Sequence, residues 1–150
     1  MYGSLTVHEG VLYVGRQAKT AWVYSYDLDG RPLQTCFSFC DEEGGMSSAS
    51  GMSMDDDHRL WVADQPAGLV RAFTLFGIQV ACVGDPDGAR ALDARGVLGA
   101  PADVVALARG VGSLAISDQA DRIACFEVHD LVTGSFTGAE DEHILAGAPI

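Results

Sequence analysis

The sequence predicts an all-β protein made of repeated antiparallel sheets. A motif of a short hydrophobic strand, a polar turn and a second strand that ends in an aromatic residue occurs three times, at residues 12–26, 60–73 and 114–126. The equivalent residues Val14, Val62 and Ile116 lie 48 and 54 residues apart, slightly above the roughly 40 to 50 residues of a propeller blade. The chain is therefore predicted to be a β-propeller of four-stranded antiparallel blades, with about three blades present.

Blade 1 is predicted over about residues 3–45 and blade 2 over about residues 46–98. In blade 1, strand 5–7 is followed by the turn at residues 8–10, and Asp29–Gly30 is a strong hairpin signal before strand 33–39. Blade 2 alternates strands and turns in the same way. Its predicted strands are 51–54, 60–63, 69–75 and 78–83.

Blade 3 is predicted over about residues 99–146, with strands at 101–107, 114–117 and 122–128. Residues 132–136 are the predicted fourth strand, although Gly134 weakens that assignment. Gly99-Ala100-Pro101 recurs 48 residues later at 147–149, so residues 147–150 are expected to begin a fourth blade. Because propellers close with typically four to eight blades, residues 1–150 form either a fragment of a longer propeller or a half ring that two copies complete as a six-bladed ring.

The formal charge is −12, from 21 acidic and 9 basic residues. This field repels a phosphate backbone, so nucleic acid is not expected as a partner. No apolar run approaches about 18 residues, and the N-terminus lacks the layout of a signal peptide. We expect a soluble, cytoplasmic protein without a membrane partner.

The four cysteines form no Cys-x-x-Cys pair. Cys36 and Cys40 would lie roughly 13 Å apart on an extended strand, which is too far to share one metal ion. Buried free thiols in a reducing compartment are the expected state.

Blade 2 resembles the NHL repeat through residues 51–64, Val70-Arg71-Ala72-Phe73 and Gly77. Blade 3 matches the same pattern at its Ser117-Asp118, Arg122-Ile123 and Phe126, whereas blade 1 has Gly15-Arg16 in place of the small residue and aspartate. The resemblance implies a propeller related to the gluconolactonase-like six-bladed propellers. Such propellers serve as binding platforms or as enzymes, according to their loops.

Asp64 and Asp118 occupy equivalent positions at the end of one strand in blades 2 and 3. A ring of such carboxylates could bind Ca²⁺ or Zn²⁺, but each carboxylate could equally accept backbone N–H groups at its turn, and Asp118 could pair with Arg122. The residues 55–58, Asp-Asp-Asp-His, fall on a hairpin turn and are interpreted as a solvated turn that shares no ligand type with the equivalent turns.

The large aromatic residues are expected to pack between blades. They are Tyr13, Tyr26, Trp61, Phe73 and Phe126. Trp22 has no aromatic equivalent in the other blades and is the best candidate for an exposed contact, together with Arg16 and Lys19.

The sequence favours a non-catalytic scaffold without a cofactor, which binds a protein or small ligand through its loops. The alternative is a metal-dependent hydrolase or lyase with a central divalent cation at Asp64 and Asp118. No Gly-x-Ser-x-Gly, phosphate-loop or His-Glu-x-x-His motif is present to favour a particular enzyme class.

Overall fold

The computed structural model describes residues 2–16, 22–38, 48–84, 98–107, 112–118, 122–127 and 143–146. These residues form three separate four-stranded antiparallel sheets. In each sheet, strands that are consecutive in the sequence lie side by side, so every sheet is a meander. The predicted all-β class and the three four-stranded blades are therefore confirmed.

Blade 1 consists of β1 (Tyr2–His8), β2 (Val11–Arg16), β3 (Trp22–Asp27) and β4 (Pro32–Ser38). Gly30 has a φ of +81° in the β3–β4 turn, a conformation that glycine adopts without strain.

Blade 2 consists of β5 (Gly51–Met54), β6 (Leu60–Asp64), β7 (Leu69–Phe73) and β8 (Gln79–Gly84). A 3-10 turn at Gln65–Ala67 connects β6 to β7. These bounds agree closely with the predicted strands, because each strand in this blade is closed by a turn rich in glycine, proline or aspartate.

Blade 3 consists of β9 (Pro101–Leu107), β10 (Ser113–Asp118), β11 (Arg122–Glu127) and β12 (His143–Ala146). The prediction of residues 132–136 as its fourth strand was wrong, since β12 is the strand that pairs with β11; residues 132–136 themselves lie outside the described residues. His143 begins this strand. β12 contains the uninterrupted apolar run Ile144-Leu145-Ala146, which has no glycine to weaken a strand.

Strand β6 lies in the middle of the molecule and is buried on both faces. Leu60 and Val62 pack in a cluster with blade 1, whereas Trp61 and Ala63 pack in a cluster with blade 3. Because successive side chains of a strand point to opposite faces, one short strand supplies both interfaces.

Two apolar clusters hold the blades together. The blade 1–blade 2 cluster contains Tyr13, Val23, Ala49, Met52, Met54, Leu60, Val62 and Phe73. The blade 2–blade 3 cluster contains Trp61, Ala63, Val70, Ala72, Ala81, Val83, Leu98, Val104, Leu114, Ile116, Ala124 and Phe126. β5 also contacts both β1 and β9, so the first strands of the three sheets lie together at the inner side of the array.

Blade 1 has a second face that points away from blade 2, which we call the open face of blade 1. The β-ladder registers place on it Leu5, Val7, Leu12, Val14, Tyr24 and Tyr26, because residues directly opposite in a ladder share a face. Leu5 is 66% exposed and Val7 is 54% exposed. Tyr26, expected between blades, thus lies on a face that no described sheet covers.

Blade 3 has a corresponding open face on the side away from blade 2. It carries Val105, Leu107, Ala115, Ile123 and Cys125, of which Val105, Leu107 and Ile123 are exposed. Val62 and Ile116, which are equivalent in the repeat, each contact the preceding blade, and their counterpart Val14 lies on the open face of blade 1. The open face of blade 1 is therefore the face that would pack against a preceding blade. The open face of blade 3 is the face that would pack against a following blade.

Within the described ranges, no helix has the length and apolar character needed to cross a membrane.

Candidate functional site

The first strands of the three blades line a cavity of about 530 Å³, which we call the inner-strand cavity. Its lining residues are Gly3, Ser4, Leu5, Val14, Ser50, Met52, Ser53, Ala102, Asp103, Val104 and Val105. This volume falls within the roughly 300 to 1,000 Å³ of small-molecule sites. Apolar side chains alternate there with serine hydroxyls and the exposed carboxylate of Asp103, so the cavity can contact both apolar and hydrogen-bonding groups.

The inner strands are held together by hydrogen bonds between blades. Ser4 Oγ donates a 2.9 Å hydrogen bond to the carbonyl oxygen of Ala49, and Ser53 Oγ accepts a 2.9 Å hydrogen bond from the backbone N–H of Ala106. These contacts join blade 1 to the segment before β5, and β5 to β9. The cavity is therefore framed by strands whose separation is fixed by hydrogen bonds.

Gly51 allows a close approach between blades 2 and 3. A Cβ atom at this position would lie 2.5 Å from the backbone Cα of Asp103, a distance that real Cβ atoms do not adopt. The glycine is required because only a residue without a side chain lets β9 cross β5 so closely.

The sequence-predicted contact residues Arg16 and Trp22 lie opposite each other in the β2–β3 ladder. Tyr2 of β1 is paired with Arg16 on the other side, so the three positions form one row across blade 1. Arg16 is exposed, whereas Lys19 lies outside the described residues. The ladder therefore brings together two of the three predicted residues at the end of β2, which we call the Arg16 edge.

Asp118, one of the two predicted metal ligands, is buried and surrounded by donors. Its carboxylate accepts hydrogen bonds from the backbone N–H groups of Gly99 at 2.9 Å and Ala100 at 2.8 Å, and it pairs with Arg122 at 3.0 Å. Burial acts to raise the pKa of Asp118, but the hydrogen bonds from Ala100, Gly99 and Arg122 outweigh it, and the pKa is lowered. The carboxylate thus joins β10 to the segment that precedes β9. Its ion pair with Arg122 is the pairing that the sequence analysis considered.

Asp64, the other predicted ligand, is 1% exposed. Its Oδ2 lies 3.8 Å from the guanidinium of Arg71. Asp64 and Asp118 are therefore both engaged by an arginine of the following strand, within separate blades. Their assignment as ligands of Ca²⁺ or Zn²⁺ stays a prediction.

Asp55 is buried, which corrects the interpretation of residues 55–58 as a wholly solvated turn. Its Oδ1 accepts hydrogen bonds from the backbone N–H groups of Asp57 and Arg59. Its Oδ2 accepts hydrogen bonds from Arg59 Nε at 2.7 Å and Trp61 Nε1 at 2.8 Å. Only the residues after it, at positions 56–58, are exposed.

His8 and His58 lie in contact, although they are 50 residues apart. Nε2 of His8 is 2.8 Å from Nδ1 of His58, and the two rings meet edge to face. Glu9 Oε2 lies 3.9 Å from the same His58 nitrogen. The sequence interpretation missed this group by treating the two turns as lacking a common ligand type; the signal was a histidine in each of two equivalent turns, close to one repeat apart.

Cys82 and Cys125 are free thiols. Cys82 is exposed, so the expectation of burial was wrong for this residue, and Cys125 is only partly buried. Cys82 lies on β8, the outermost strand of blade 2, where neighbouring sheets cover the surface less completely.

No protein-family model matches the chain, and no curated protein matches it. Several solved structures do match the chain. The chain is similar to the crystal structure of RRP9 WD40 repeats with a TM-score of 0.66 and 12% identity, over 97% of this chain and 38% of that one. It is similar to a protein of unknown function from Bacteroides caccae, with a TM-score of 0.64 and 13% identity over 87% and 43% of the two chains.

A third similar structure is a chain of the nidogen/laminin complex, with a TM-score of 0.55 and 12% identity over 80% of this chain and 40% of that one. The chain thus spans less than half the length of each of these three structures. At such identities the likeness shows the fold alone, and the fold is that of a partial β-propeller.

Proposed function

We propose that this chain is a non-catalytic propeller scaffold of the NHL-repeat type, which binds a protein or a small ligand. The observation that carries the proposal is the inner-strand cavity, to which all three blades contribute. The NHL assignment itself rests on the sequence resemblance of blades 2 and 3, and the propeller-like solved structures support it at the level of the fold.

The Arg16 edge gives the proposed scaffold a second feature suited to binding. In a chain with a formal charge of −12, an exposed arginine with Lys19 three residues later is a local concentration of positive charge. Arginine favours planar, bidentate contacts with carboxylates, and Trp22 adjoins it in the ladder. We therefore expect the ligand to carry a carboxylate or another anionic group.

The proposal is tested by a thermal-shift screen of acidic peptides and carboxylate-bearing small molecules. A compound that binds only the folded protein raises Tm with its concentration. We expect Arg16→Ala to abolish the shift for those that bind at the Arg16 edge. Arg31→Ala is the matched control, because Arg31 is exposed in another turn, where it pairs with Asp27 and Asp29. Equal shifts in wild type and Arg16→Ala would remove the Arg16 edge from the binding surface.

The open faces of blades 1 and 3 further support completion of the ring by additional blades. A second copy of the chain would supply both missing partners at once, placing the open face of blade 1 against that of blade 3 in the partner. Further blades of a longer chain would cover the same surfaces. In either case, the inner-strand cavity becomes part of a central channel.

The alternative function, a hydrolase or lyase with a divalent cation on Asp64 and Asp118, has its own test. Under this alternative, Ca²⁺ or Zn²⁺ would raise Tm more in the wild type than in the double variant Asp64→Asn/Asp118→Asn. Under the scaffold proposal, we expect the double variant to be less stable without metal, because both carboxylates are engaged by arginines, and any metal-dependent rise in Tm to be the same in both proteins.

A further inference from the structure

We propose that His8, Glu9 and His58 form a binding site for a divalent transition-metal ion of the Zn²⁺ class. One ligand atom from each of these residues lies within 4.8 Å of the other two. His8 ends β1 and Glu9 follows it in the β1–β2 turn of blade 1, whereas His58 lies in the β5–β6 turn of blade 2, so the ion would join two blades. They are separate from the residues of the inner-strand cavity and the Arg16 edge.

The donor set suits such an ion. Two imidazole nitrogens and one carboxylate are ligands that Zn²⁺ prefers, and three protein ligands leave a fourth position for water. Two nitrogens bound to one tetrahedral zinc at about 2.0–2.1 Å lie about 3.3 Å apart. The contacts of 2.8 Å between His8 and His58 and 3.9 Å between Glu9 and His58 lie on either side of this value.

The side chains can make the small adjustment that coordination requires. The His58 side chain is 51% exposed and that of Glu9 is 71% exposed, so rotation about their torsions meets little resistance from packing. The acidic character of the chain also favours a cation at its surface.

The backbone that carries these residues is fixed by hydrogen bonds. The N–H of His58 donates to the carbonyl oxygen of Asp55 at 3.1 Å, and the buried Asp55 carboxylate holds the rest of that turn. Glu9 has a φ of 48° and His58 a φ of 59°, in the left-handed region that few residues other than glycine adopt. Glu9 and His58 therefore both lie in tight turns with a defined backbone conformation.

A hydrogen bond between the two imidazoles would by itself explain the 2.8 Å contact, with one ring N–H donating to the other ring's nitrogen. That bond does not require Glu9. The two explanations consequently differ in what a substitution at Glu9 does to zinc binding.

The experiment is a titration of the purified 150-residue chain with ZnCl₂ by calorimetry, together with Co²⁺ as a spectroscopic probe. We expect one ion per chain and the visible absorption of a four-coordinate Co²⁺ without a thiolate band. Loss of a group that merely orients a ligand weakens metal affinity about 10- to 100-fold. We therefore expect His8→Gln and His58→Asn each to weaken zinc binding at least tenfold and Glu9→Gln to weaken it measurably.

His58→Asn is chosen because asparagine tolerates the left-handed conformation, so the turn is retained. His143→Gln is the matched control, because His143 belongs to β12 of blade 3. Unchanged far-UV circular dichroism and metal-free Tm in the variants establish that folding is intact. Four results would each overturn the proposal. They are the absence of a heat of binding at millimolar zinc, an affinity equal to that of the wild type in His8→Gln, His58→Asn or Glu9→Gln, a loss in His143→Gln as large as in His8→Gln, and a Co²⁺–thiolate band.

Discussion

The indole Nε1 of Trp61 donates a 2.8 Å hydrogen bond to Oδ2 of Asp55, and both residues are buried. Trp61 belongs to the apolar cluster between blades 2 and 3, whereas Asp55 begins the β5–β6 turn. This hydrogen bond therefore links the interior of one blade interface to the turn that carries His58. The turn is thus attached to the core through the Asp55 carboxylate.

Replacing Asp55 is expected to destabilise the protein. In Asp55→Asn, the amide would present N–H donors toward Trp61 Nε1 and Arg59 Nε, which are donors themselves. Because a hydrogen bond to a charged group contributes about 1.5–3 kcal/mol, we expect the free energy of unfolding in urea to fall by about that amount. Loss of the hydrogen bond in Trp61→Phe is expected to lower the free energy of unfolding by less than Asp55→Asn does, because Arg59 still pairs with the Asp55 carboxylate.

Asp56→Asn is the control for this prediction, because Asp56 is adjacent and exposed. Exposed substitutions away from such contacts usually change stability by less than about 0.5 kcal/mol. Equal stability of Asp55→Asn and Asp56→Asn would show that the buried carboxylate contributes little.

Gly51→Ala is expected to destabilise the contact between β5 and β9. The added methyl would lie 2.5 Å from the Asp103 backbone, which cannot move without displacing β9. Overpacking of this kind costs about 1–3 kcal/mol and sometimes more. Thermal and urea unfolding measure the loss.

Gly30→Ala provides the comparison for Gly51→Ala. Gly30 has a φ of +81°, and nothing lies within 4 Å of its added Cβ, so this variant suffers backbone strain without a steric clash. A Gly51→Ala protein as stable as wild type would mean that β9 shifts freely, and the described frame of the cavity would then be incorrect.

Asp118 is expected to make stability depend on pH in the acid range. Its pKa in the folded protein is lowered from the ordinary 3.8, so between the two values the unfolded chain binds more protons than the folded chain. Stability supplied by the ionised carboxylate is therefore fully present well above pH 3.8 and is lost as the pH falls through the lowered folded pKa.

The measurement is urea unfolding of wild type and Asp118→Asn from about pH 7 to about pH 2. We expect the wild type to be the more stable at neutral pH and the difference to narrow below about pH 4. In Arg122→Gln, part of the acid dependence is expected to persist through the N–H groups of Gly99 and Ala100. Parallel curves for wild type and Asp118→Asn would exclude a stabilising carboxylate at this position.

Ring completion by a second copy predicts a solution mass of twice 15.8 kDa in size-exclusion chromatography with light scattering. Ala115→Arg, on the open face of blade 3, is expected to reduce the mass to that of one chain by placing a long charged side chain in the new interface. Phe76→Glu is the control, because Phe76 is 89% exposed in the β7–β8 turn. A wild-type mass near 15.8 kDa would contradict closure by a second copy and favour further blades in a longer chain.

Local sequence patterns were sufficient to predict most strands. They failed where contacts between distant residues determine strand pairing or burial. The predicted strand 51–54 has the bounds of β5, because an aspartate-rich turn closes it directly. The fourth strand of blade 3 was misplaced, since pairing with β11 selects among apolar segments that look alike locally. The exposure of Cys82 likewise depends on its position in the outermost strand and not on its neighbours in sequence.

The candidate sites were predicted less well than the fold. The Asp118–Arg122 pair was anticipated because the two residues are close in sequence. The contact between His8 and His58 was not, since it forms only when two equivalent turns of different blades meet.

The sequence by itself determined the repeat, the four-stranded meander of each blade and the alternation that gives every blade two faces, because these follow from residues a few positions apart. Only the tertiary structure decided which carboxylates are buried, how Gly51 admits the Asp103 backbone and which side chains from separate blades come into contact. The physical reason is that blade packing brings together residues about one repeat apart, and their distances depend on the packing of whole sheets.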